Sequence, residues 1–363
     1  MKTAMRLRQQ GLSLVEIMVA VVIGLIGILI ITQAYITSDN FNRATLGEGG
    51  AQMNGLIGLY SLERDLRMSG WGINNAEARG CGNLYYYNSV ANAYSTNTPG
   101  TLPNVRVAPV VITADTGTPS NPDTITVFYG TDGERMMPTT VNGYNATTPD
   151  ISVDGADGFN AGQLVILVSA AGGCTLRNIS NVVVVSQKLE FAPGAGAPQN
   201  PAGWGSFPSP TPVKDDIVLN LGTPVLRTYL IASGKLANDD GLLANGATTR
   251  TDVVDSIVDL RALYGKDTNA DNIVDTYDNV TPTTAAGWQE VLSVKVAILA
   301  RIGNFEKPST SGGNCDATTV APTWSGGSFP AVNIATVTSQ DRCYRYRVFE
   351  TTVPLRNMIW AAT

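Results

Sequence analysis

The contrast between apolar and charged positions is sharpest at the N-terminus. Residues 17–38 contain no Asp, Glu, Lys or Arg, whereas Lys2, Arg6 and Arg8 precede them. At about 1.5 Å per residue, a helix of these 22 residues spans about 33 Å, enough to cross a bilayer core of about 30 Å. The basic cluster predicts a cytoplasmic N-terminus. A cleaved secretory signal has a shorter apolar segment, so the simplest alternative is a plain single-pass anchor.

The helical pattern continues beyond this apolar run. Apolar residues recur at the spacing of a helix that is half covered by a folded domain: Met53, Leu56, Ile57, Leu59, Tyr60, Leu62 and Leu66. Gly47, Gly49 and Gly50 allow a kink or a melted turn, since glycine weakens a helix, and two separate helices are the simplest alternative. Gly70 is predicted to end the helix in the left-handed conformation. The favoured arrangement is one helix, with residues 12–38 in the membrane and residues 39–69 amphipathic.

From residue 72 onward, short β-branched runs alternate with Gly, Pro and Asn, which predicts antiparallel strands joined by turns. The predicted strands are residues 123–129, 163–168, 181–186, 216–221, 225–232, 290–301 and 342–355. Alternation within residues 290–301 predicts a strand with one buried and one exposed face. A second helix is predicted at residues 253–264, capped by Asp252.

The predicted fold class is therefore α+β: a long N-terminal helix packed on an antiparallel, β-rich globular head. The head comprises residues 70–363. Residues 194–212 are rich in Pro and Gly and predict a loop near which the head could divide into two lobes.

Composition excludes several classes of function. The 363 residues include no histidine, which rules out Ser-His-Asp catalysis and zinc sites built on imidazole. A sequence pI near 4.8 argues against direct binding of nucleic acid, which needs a positive face. No convergent catalytic set can be named, so the sequence predicts that the protein is not an enzyme.

A charged residue at the cytoplasmic edge of the apolar run, Glu16, does not fit a plain anchor, because an unpaired carboxylate is costly in lipid. The short basic leader, Gly11, Leu12 and Glu16 resemble the class III signal of type IV pilins and pseudopilins. The resemblance implies that a prepilin peptidase removes residues 1–11 after Gly11 and methylates the amine of Leu12. It also implies that Glu16 pairs with the Leu12 amine of a neighbouring subunit. Most family members have Phe at the first mature position, where this chain has Leu12.

The body of the chain adds a narrower resemblance. Residues 260–265, Trp288, residues 294–301 and residues 344–357 are similar to a PilW-type minor pilin. The resemblance implies major and minor pilins and the inner-membrane pilus assembly platform as partners. It further implies a single-pass protein of the bacterial inner membrane before assembly, and a place in the pilus at the cell surface afterwards. Without its leader the chain keeps 21 basic and 30 acidic side chains, so the exported part is acidic.

An acidic loop follows the predicted second helix. Oxygen-bearing residues recur at the alternating spacing of a calcium loop, which gives a candidate ligand set of Asp267, Asn269, Asp271, Ile273, Asp275 and Asp278. Asn272 replaces the usual Gly at position 6, and Asp278 is one methylene shorter than the usual bidentate Glu. Calcium binding and a solvated acidic turn are both consistent with this sequence.

Four cysteines remain, none of them in a Cys-x-x-Cys pair. An even number in an exported domain favours two disulfides, and four buried thiols are the alternative. Three connectivities are allowed. We favour Cys315–Cys343, because it closes a loop before the final strand, which leaves Cys81–Cys174 by elimination.

Three functions from different classes agree with these features. The first is a minor pilin that takes part in initiating and assembling a type IV pilus, and through it in adhesion, motility or DNA uptake. The second is a minor pseudopilin of a type II secretion system, which shares the N-terminal signal. The third is a membrane-anchored adhesin.

Overall fold

The fold is described from a computed structural model. It describes residues 13–73, 78, 81, 84–88, 93–96, 107–114, 121–131, 134–135, 137–145, 147–169, 173–194, 199–200, 211–241, 249–308 and 313–359. The chain divides into two compact units, Met1–Gly50 and Ala51–Thr363.

Helix α1 spans Leu14–Met68 as a single element, which confirms one long helix rather than two. Gly47, Gly49 and Gly50 are all helical, so the helix does not melt at these glycines. The helix ends as predicted at Gly70, whose φ is +82° and whose N–H donates to the Phe128 carbonyl at 2.9 Å.

The C-terminus of α1 is tied to the last residues of the chain. The side-chain amide of Asn357 donates to the carbonyls of Met68, at 3.2 Å, and Ser69, at 2.9 Å. No helical N–H reaches the last carbonyls of a helix, so this amide supplies partners that the helix lacks. Asn357 belongs to the short helix α3 (Arg356–Ile359).

The described strands form three large sheets and one hairpin. The first sheet has nine strands, in the spatial order β2 (Ala93–Thr96), β1 (Leu84–Asn88), β8 (Gly173–Asn178), β7 (Leu164–Ser169), β11 (Ile217–Gly222), β5 (Thr139–Asn145), β6 (Asp150–Val153), β10 (Lys188–Glu190) and β9 (Asn181–Val183). The second has five, in the order β14 (Thr249–Asp255), β13 (Lys235–Asp240), β12 (Val225–Ala232), β4 (Thr124–Tyr129) and β3 (Val110–Thr113).

The third sheet has four strands, in the order β16 (Thr276–Asp278), β15 (Ile257–Lys266), β17 (Val291–Arg301) and β20 (Tyr346–Pro354). The hairpin pairs β18 (Thr323–Trp324) with β19 (Gly327–Ser328), and the short helix α2 (Ala285–Gln289) precedes β17. Among the described strands every pairing is antiparallel, except that β1 and β8 run parallel. The α+β class with a long N-terminal helix is therefore confirmed.

The second and third sheets share one hydrophobic core with the end of α1. This core contains Leu62 and Leu66 of the helix together with Tyr229 of β12 and Val296 and Ile298 of β17. Two further apolar clusters lie within and against the nine-stranded sheet. The end of α1 is thus an integral part of the folded head.

The predicted helix at residues 253–264 is wrong, because these residues form the end of β14 and most of β15. Ser256, with φ +66°, turns the chain between the two strands. Strand β15 then pairs along its length with β17, and this long-range pairing overrides a local pattern that also suited a helix.

Strand β17 is also more buried than predicted. Its alternation suggested one exposed face, yet Ala297 and Leu299 pack beneath Phe329, Val332 and Ile334 on the side away from the shared core. A strand that is covered on both faces has no exposed alternate residues. The alternation within residues 290–301 therefore could not show that the second face of β17 is also buried.

The remaining predicted strands agree with the structure, with ends that differ by a few residues. The segment predicted at 181–186 is divided between β9 and a turn of 3-10 helix at Val184–Ser186. A division of the head near residues 194–212 stays a prediction, since most of that segment lies outside the described residues. Strands from both sides of it pair directly, β7 with β11 and β4 with β12.

Candidate functional site: the N-terminal helix

The predicted processing site, Gly11 and Leu12, lies outside the described residues, which begin at Ser13. Cleavage after Gly11 and methylation of Leu12 therefore stay predictions from the sequence.

The first turn of α1 holds Glu16 in a reciprocal hydrogen-bonded pair with Ser13. The backbone N–H of Glu16 donates to the Ser13 hydroxyl at 3.3 Å, and the Glu16 carboxylate accepts the Ser13 N–H at 3.4 Å. This is a capping box, which satisfies two backbone donors that a helix N-terminus leaves without partners. Its Ser-x-x-Glu signature is present in the sequence but did not enter the prediction for Glu16. Pairing of Glu16 with a neighbouring subunit stays a prediction.

Among the described residues, α1 is the one helix that is long and apolar enough to cross a membrane, and none of its most apolar stretch is buried in the fold. Its length and composition agree with the predicted membrane anchor. The direction in which the helix crosses the membrane stays a prediction.

From Ala51 onward, α1 packs one face against the sheets. We call it the covered face; it consists of Ala51, Gly55, Gly58, Leu62, Asp65 and Leu66, all buried. Close approach is possible because two of these residues are glycines. A Cβ on Gly58 would stand 3.1–3.3 Å from side-chain atoms of Val254, Leu236 and Ile298, and a Cβ on Gly55 would overlap the Phe349 ring.

The covered face includes a fully buried carboxylate. Asp65 accepts hydrogen bonds from the Tyr229 hydroxyl and from Arg227 Nη1, each at 2.7 Å, and lies 3.4 Å from the Tyr129 hydroxyl. Arg64, the preceding residue of α1, contacts the same carboxylate at 3.2 Å. Arg227 also pairs with Asp240 at 2.9 Å. A buried charge needs such partners, and here they come from β12 and β4 as well as from the helix itself.

The tyrosines of this cluster respond to the same environment. Desolvation by burial, together with the nearby Asp65 carboxylate, raises the pKa of Tyr229 and that of Tyr129. Both hydroxyls therefore stay protonated near neutral pH and remain available to donate to Asp65.

The opposite face of α1 carries larger apolar side chains that remain in contact with solvent. We call it the exposed stripe; it consists of Met53, Leu56, Ile57 and Tyr60, which are 48–68% exposed. The sequence placed these residues in the apolar stripe of a half-covered helix together with Leu62 and Leu66. The structure divides that set, because it buries Leu62 and Leu66 and leaves the exposed stripe uncovered.

The acidic loop between β15 and β16 is organised by its first residue. The buried Asp267 carboxylate accepts the backbone N–H groups of residues 269–272 at 2.7–3.3 Å. Burial alone would raise its pKa, but these N–H groups, with that of Asn272 first, hold the pKa of Asp267 below its usual value. Asp267 thus stays ionised and fixes the loop.

The other candidate calcium ligands are only partly brought together. The side-chain nitrogen of Asn269 lies 3.3 Å from the Asp271 carboxylate and 3.4 Å from that of Asp275. The Asp278 carboxylate pairs instead with Lys266 Nζ at 2.7 Å, and Ile273 donates its N–H to Asp271 at 2.8 Å. Within the described part of the chain, no group of three or more acidic or Cys residues is placed to hold a metal ion. Calcium binding stays a prediction.

The chain matches two protein-family models. Residues 6–32 match the prokaryotic N-terminal methylation motif, and residues 224–357 match PilW, the type IV pilus-assembly protein W. The chain is type IV pilin-like. No curated protein and no solved structure matches it.

The two matched regions of this pilin-like chain contain the features described above. The N-terminal region includes Gly11, Leu12 and Glu16, and supports membrane anchoring and pilus assembly. The PilW region includes β12, the whole third sheet and the acidic loop, and it also contains the disulfide Cys315–Cys343. Both predicted disulfides, Cys315–Cys343 and Cys81–Cys174, are confirmed.

Proposed function

We propose that this chain is a minor pilin that takes part in the assembly of a type IV pilus. The observation that carries the proposal is the exposed stripe on α1. The sheets bury the small residues of the helix and leave Met53, Leu56, Ile57 and Tyr60 in contact with water. A contiguous apolar stripe on a folded protein marks an interaction surface. Helices of other pilins would cover it in a filament, and both family-model matches support this assignment.

In this proposal, the newly made protein is first located in the bacterial inner membrane. The apolar part of α1 anchors the chain with its N-terminus in the cytoplasm, and prepilin peptidase removes the leader at Gly11. The assembly platform then extracts the mature subunit, and Glu16 meets the Leu12 amine of a neighbour as the helices come together. Adhesion, motility and DNA uptake would follow from the pilus rather than from a site on this chain.

The role of Glu16 can be separated from processing. We expect Glu16→Ala to be cleaved and inserted normally, because the change makes the helix more apolar, but to be depleted at least tenfold in sheared, purified pili. The reason is that the Leu12 amine of the adjacent subunit would be buried without a counter-charge. Mass spectrometry of the membrane fraction reports cleavage, and immunoblots of pili report incorporation. Glu48→Ala, an exposed acidic position on the same helix, is the matched control.

The exposed stripe gives a second arm of the same experiment. Ile57→Ser should lower incorporation, whereas Gln52→Ser, at an exposed polar position on the same helix, should not. Normal amounts of Glu16→Ala and Ile57→Ser in pili would contradict the proposal. If the wild-type protein is missing from pili and its deletion stops the export of secreted enzymes, the chain is instead a pseudopilin of a type II secretion system.

A further inference from the structure

The second unit holds a helix segment with two opposite apolar faces. At about 100° per residue, the covered face and the exposed stripe lie on opposite sides of α1. Both faces carry apolar side chains, and the structure shows one of them docked on the sheets.

Burial of apolar area does not explain this choice. The exposed stripe consists of Met53, Leu56, Ile57 and Tyr60, whereas half of the covered face is Ala51, Gly55 and Gly58. Hydrophobic stabilisation grows with the apolar area removed from water, so covering the stripe would bury larger side chains. Another interaction must favour the observed orientation.

The buried ionic cluster is one such interaction. Asp65 reaches Arg227 and Tyr229 at 2.7 Å only from the covered face, since both partners belong to β12 beneath the helix. Rotating α1 by half a turn would carry the carboxylate away from them and leave a desolvated hydroxyl without its acceptor. A buried polar network is stable only where its hydrogen bonds are satisfied, whereas apolar contacts can be repacked.

The glycines have a different role. Gly55 and Gly58 leave room for the sheets to approach, since an added Cβ at Gly58 would come within 3.1 Å of Val254 and within 3.2 Å of Leu236. They make the observed orientation sterically available, and at Gly55 they also disfavour the other one, because a larger side chain there would overlap the Phe349 ring.

We propose that Asp65 is a positioning residue that selects which face of α1 docks on the sheets and thereby keeps the exposed stripe directed outward. Its meaning for pilus assembly rests on the proposed function above. The orientation itself is measured without filaments, so a failure of this proposal and a failure of the pilin role can be told apart.

The test measures the orientation of the helix in the full chain in detergent micelles. Cysteines are introduced singly, as Tyr60→Cys on the exposed stripe and Leu62→Cys on the covered face, and labelled with a maleimide without reducing agent. With Asp65 present, we expect position 60 to react at least tenfold faster than position 62. With Asp65→Leu, which supplies an apolar side chain of similar size, this ratio should fall at least fivefold while cooperative melting persists.

Leu236→Ala is the matched control. It weakens the same interface near Gly58 but leaves Asp65 and its partners in place, so the labelling ratio should stay within twofold of the wild-type value. Asp65→Asn, which keeps a hydrogen-bond acceptor for Tyr229, should give a ratio between those of wild type and Asp65→Leu.

Three results would overturn the proposal. The first is a wild-type labelling ratio in Asp65→Leu. The second is an equal loss of the ratio in Leu236→Ala, which would mean that lower stability alone loosens the helix. The third is an Asp65→Leu chain that no longer melts cooperatively, because Asp65 would then be required for folding rather than for selecting between two orientations.

Discussion

Asp259 of the third sheet and Asp267 of the acidic loop are eight residues apart in sequence and meet opposite electrostatic environments. Asp259 is fully buried in β15, where it pairs with Arg261 at 3.0 Å and accepts the Ala331 N–H at 3.3 Å. Desolvation by burial raises the pKa of Asp259 to about 6, against the opposing effect of Arg261. Asp267 is the first residue of the acidic loop, where backbone N–H groups outweigh the effect of burial and lower its pKa. The same side chain thus has a pKa above its usual value in one place and below it in the other.

Asp259 should make stability depend on pH in the range from about 4 to about 6. A raised pKa means that the folded state binds the proton more tightly, so this contribution is fully present below pH 4 and is lost as pH rises through about 6. Relative to Asp259→Asn, the wild-type free energy of unfolding should therefore fall by up to about 3 kcal/mol between pH 4 and pH 7. Urea unfolding of the full chain in micelles at several pH values measures this difference.

The control for this series is Asp252→Asn, at an exposed carboxylate that pairs with Lys235 at 2.9 Å. This variant keeps the buried Asp259 and should therefore still lose stability relative to Asp259→Asn as the pH rises from 4 to 7. A pH-independent difference between wild type and Asp259→Asn would show that the buried carboxylate keeps an ordinary pKa.

Asp267 gives a prediction of the opposite sign. Because its pKa is lowered, its stabilising effect should be present above pH 4 and lost as pH falls further. Asp267→Ala should lower the melting temperature at pH 7 even with a chelator present, since four backbone N–H groups lose their acceptor. Millimolar calcium should raise the melting temperature of the wild type, but not that of Asp271→Ala, if the loop binds the ion as its spacing predicts. Identical wild-type melting with calcium and with chelator would leave an ordinary acidic turn.

The sequence identified Glu16 and the acidic loop because their chemistry lies in local spacing. It did not identify Asp65 or Asp259 as buried ionic residues. Two partners of Asp65, Arg227 and Tyr229, are more than 160 residues away along the chain. Burial of a charge depends on which distant residues surround it, and no local pattern contains that information.

At the scale of elements, the contact between α1 and the sheets depends on glycine. Gly55→Ala should destabilise the head by about 1–3 kcal/mol, even though alanine favours a helix, because the added Cβ would overlap the Phe349 ring. Gly49→Ala is the control, since nothing lies within 4 Å of the added atom there. It should be neutral or stabilising by up to about 1 kcal/mol. Thermal unfolding followed by circular dichroism measures both variants, and equal effects would contradict close packing at Gly55.

Elements with a strong local pattern could be predicted from the sequence. Strong periodicity sufficed for α1, and β-branched runs sufficed for β4, β7 and β12. The pattern failed at residues 253–264, where apolar residues suit both a helix and a strand, and pairing with β17 decides between them. The pattern also failed to separate the two sides of α1. Apolar residues on a helix indicate that part of its surface is covered, but they do not show which face is covered.

At the scale of the whole molecule, the two disulfides fix different parts of the head. Cys81–Cys174 joins the segment after α1 to β8 of the nine-stranded sheet, with a sequence separation of 93. Cys315–Cys343, with a separation of 28, closes the segment whose Phe329, Val332 and Ile334 cover β17. The sequence predicted both pairs, but it could not predict the spatial order of the strands they join, since that order depends on pairing between distant segments.

Loss of either bridge should therefore lower stability, and the two losses should differ in where they act. By loop-closure entropy, Cys81→Ser/Cys174→Ser should cost about 4–5 kcal/mol and Cys315→Ser/Cys343→Ser about 3–4 kcal/mol. Loss of Cys315–Cys343 should also loosen the segment that covers β17. The reason is that this disulfide closes the loop that holds Phe329, Val332 and Ile334 on the sheet. Limited proteolysis should then cut within residues 316–342 at least tenfold faster than in the wild type, whereas Cys81→Ser/Cys174→Ser should leave that segment protected. Equal protection in both variants would mean that the packing of Phe329, Val332 and Ile334 holds the cover without its disulfide.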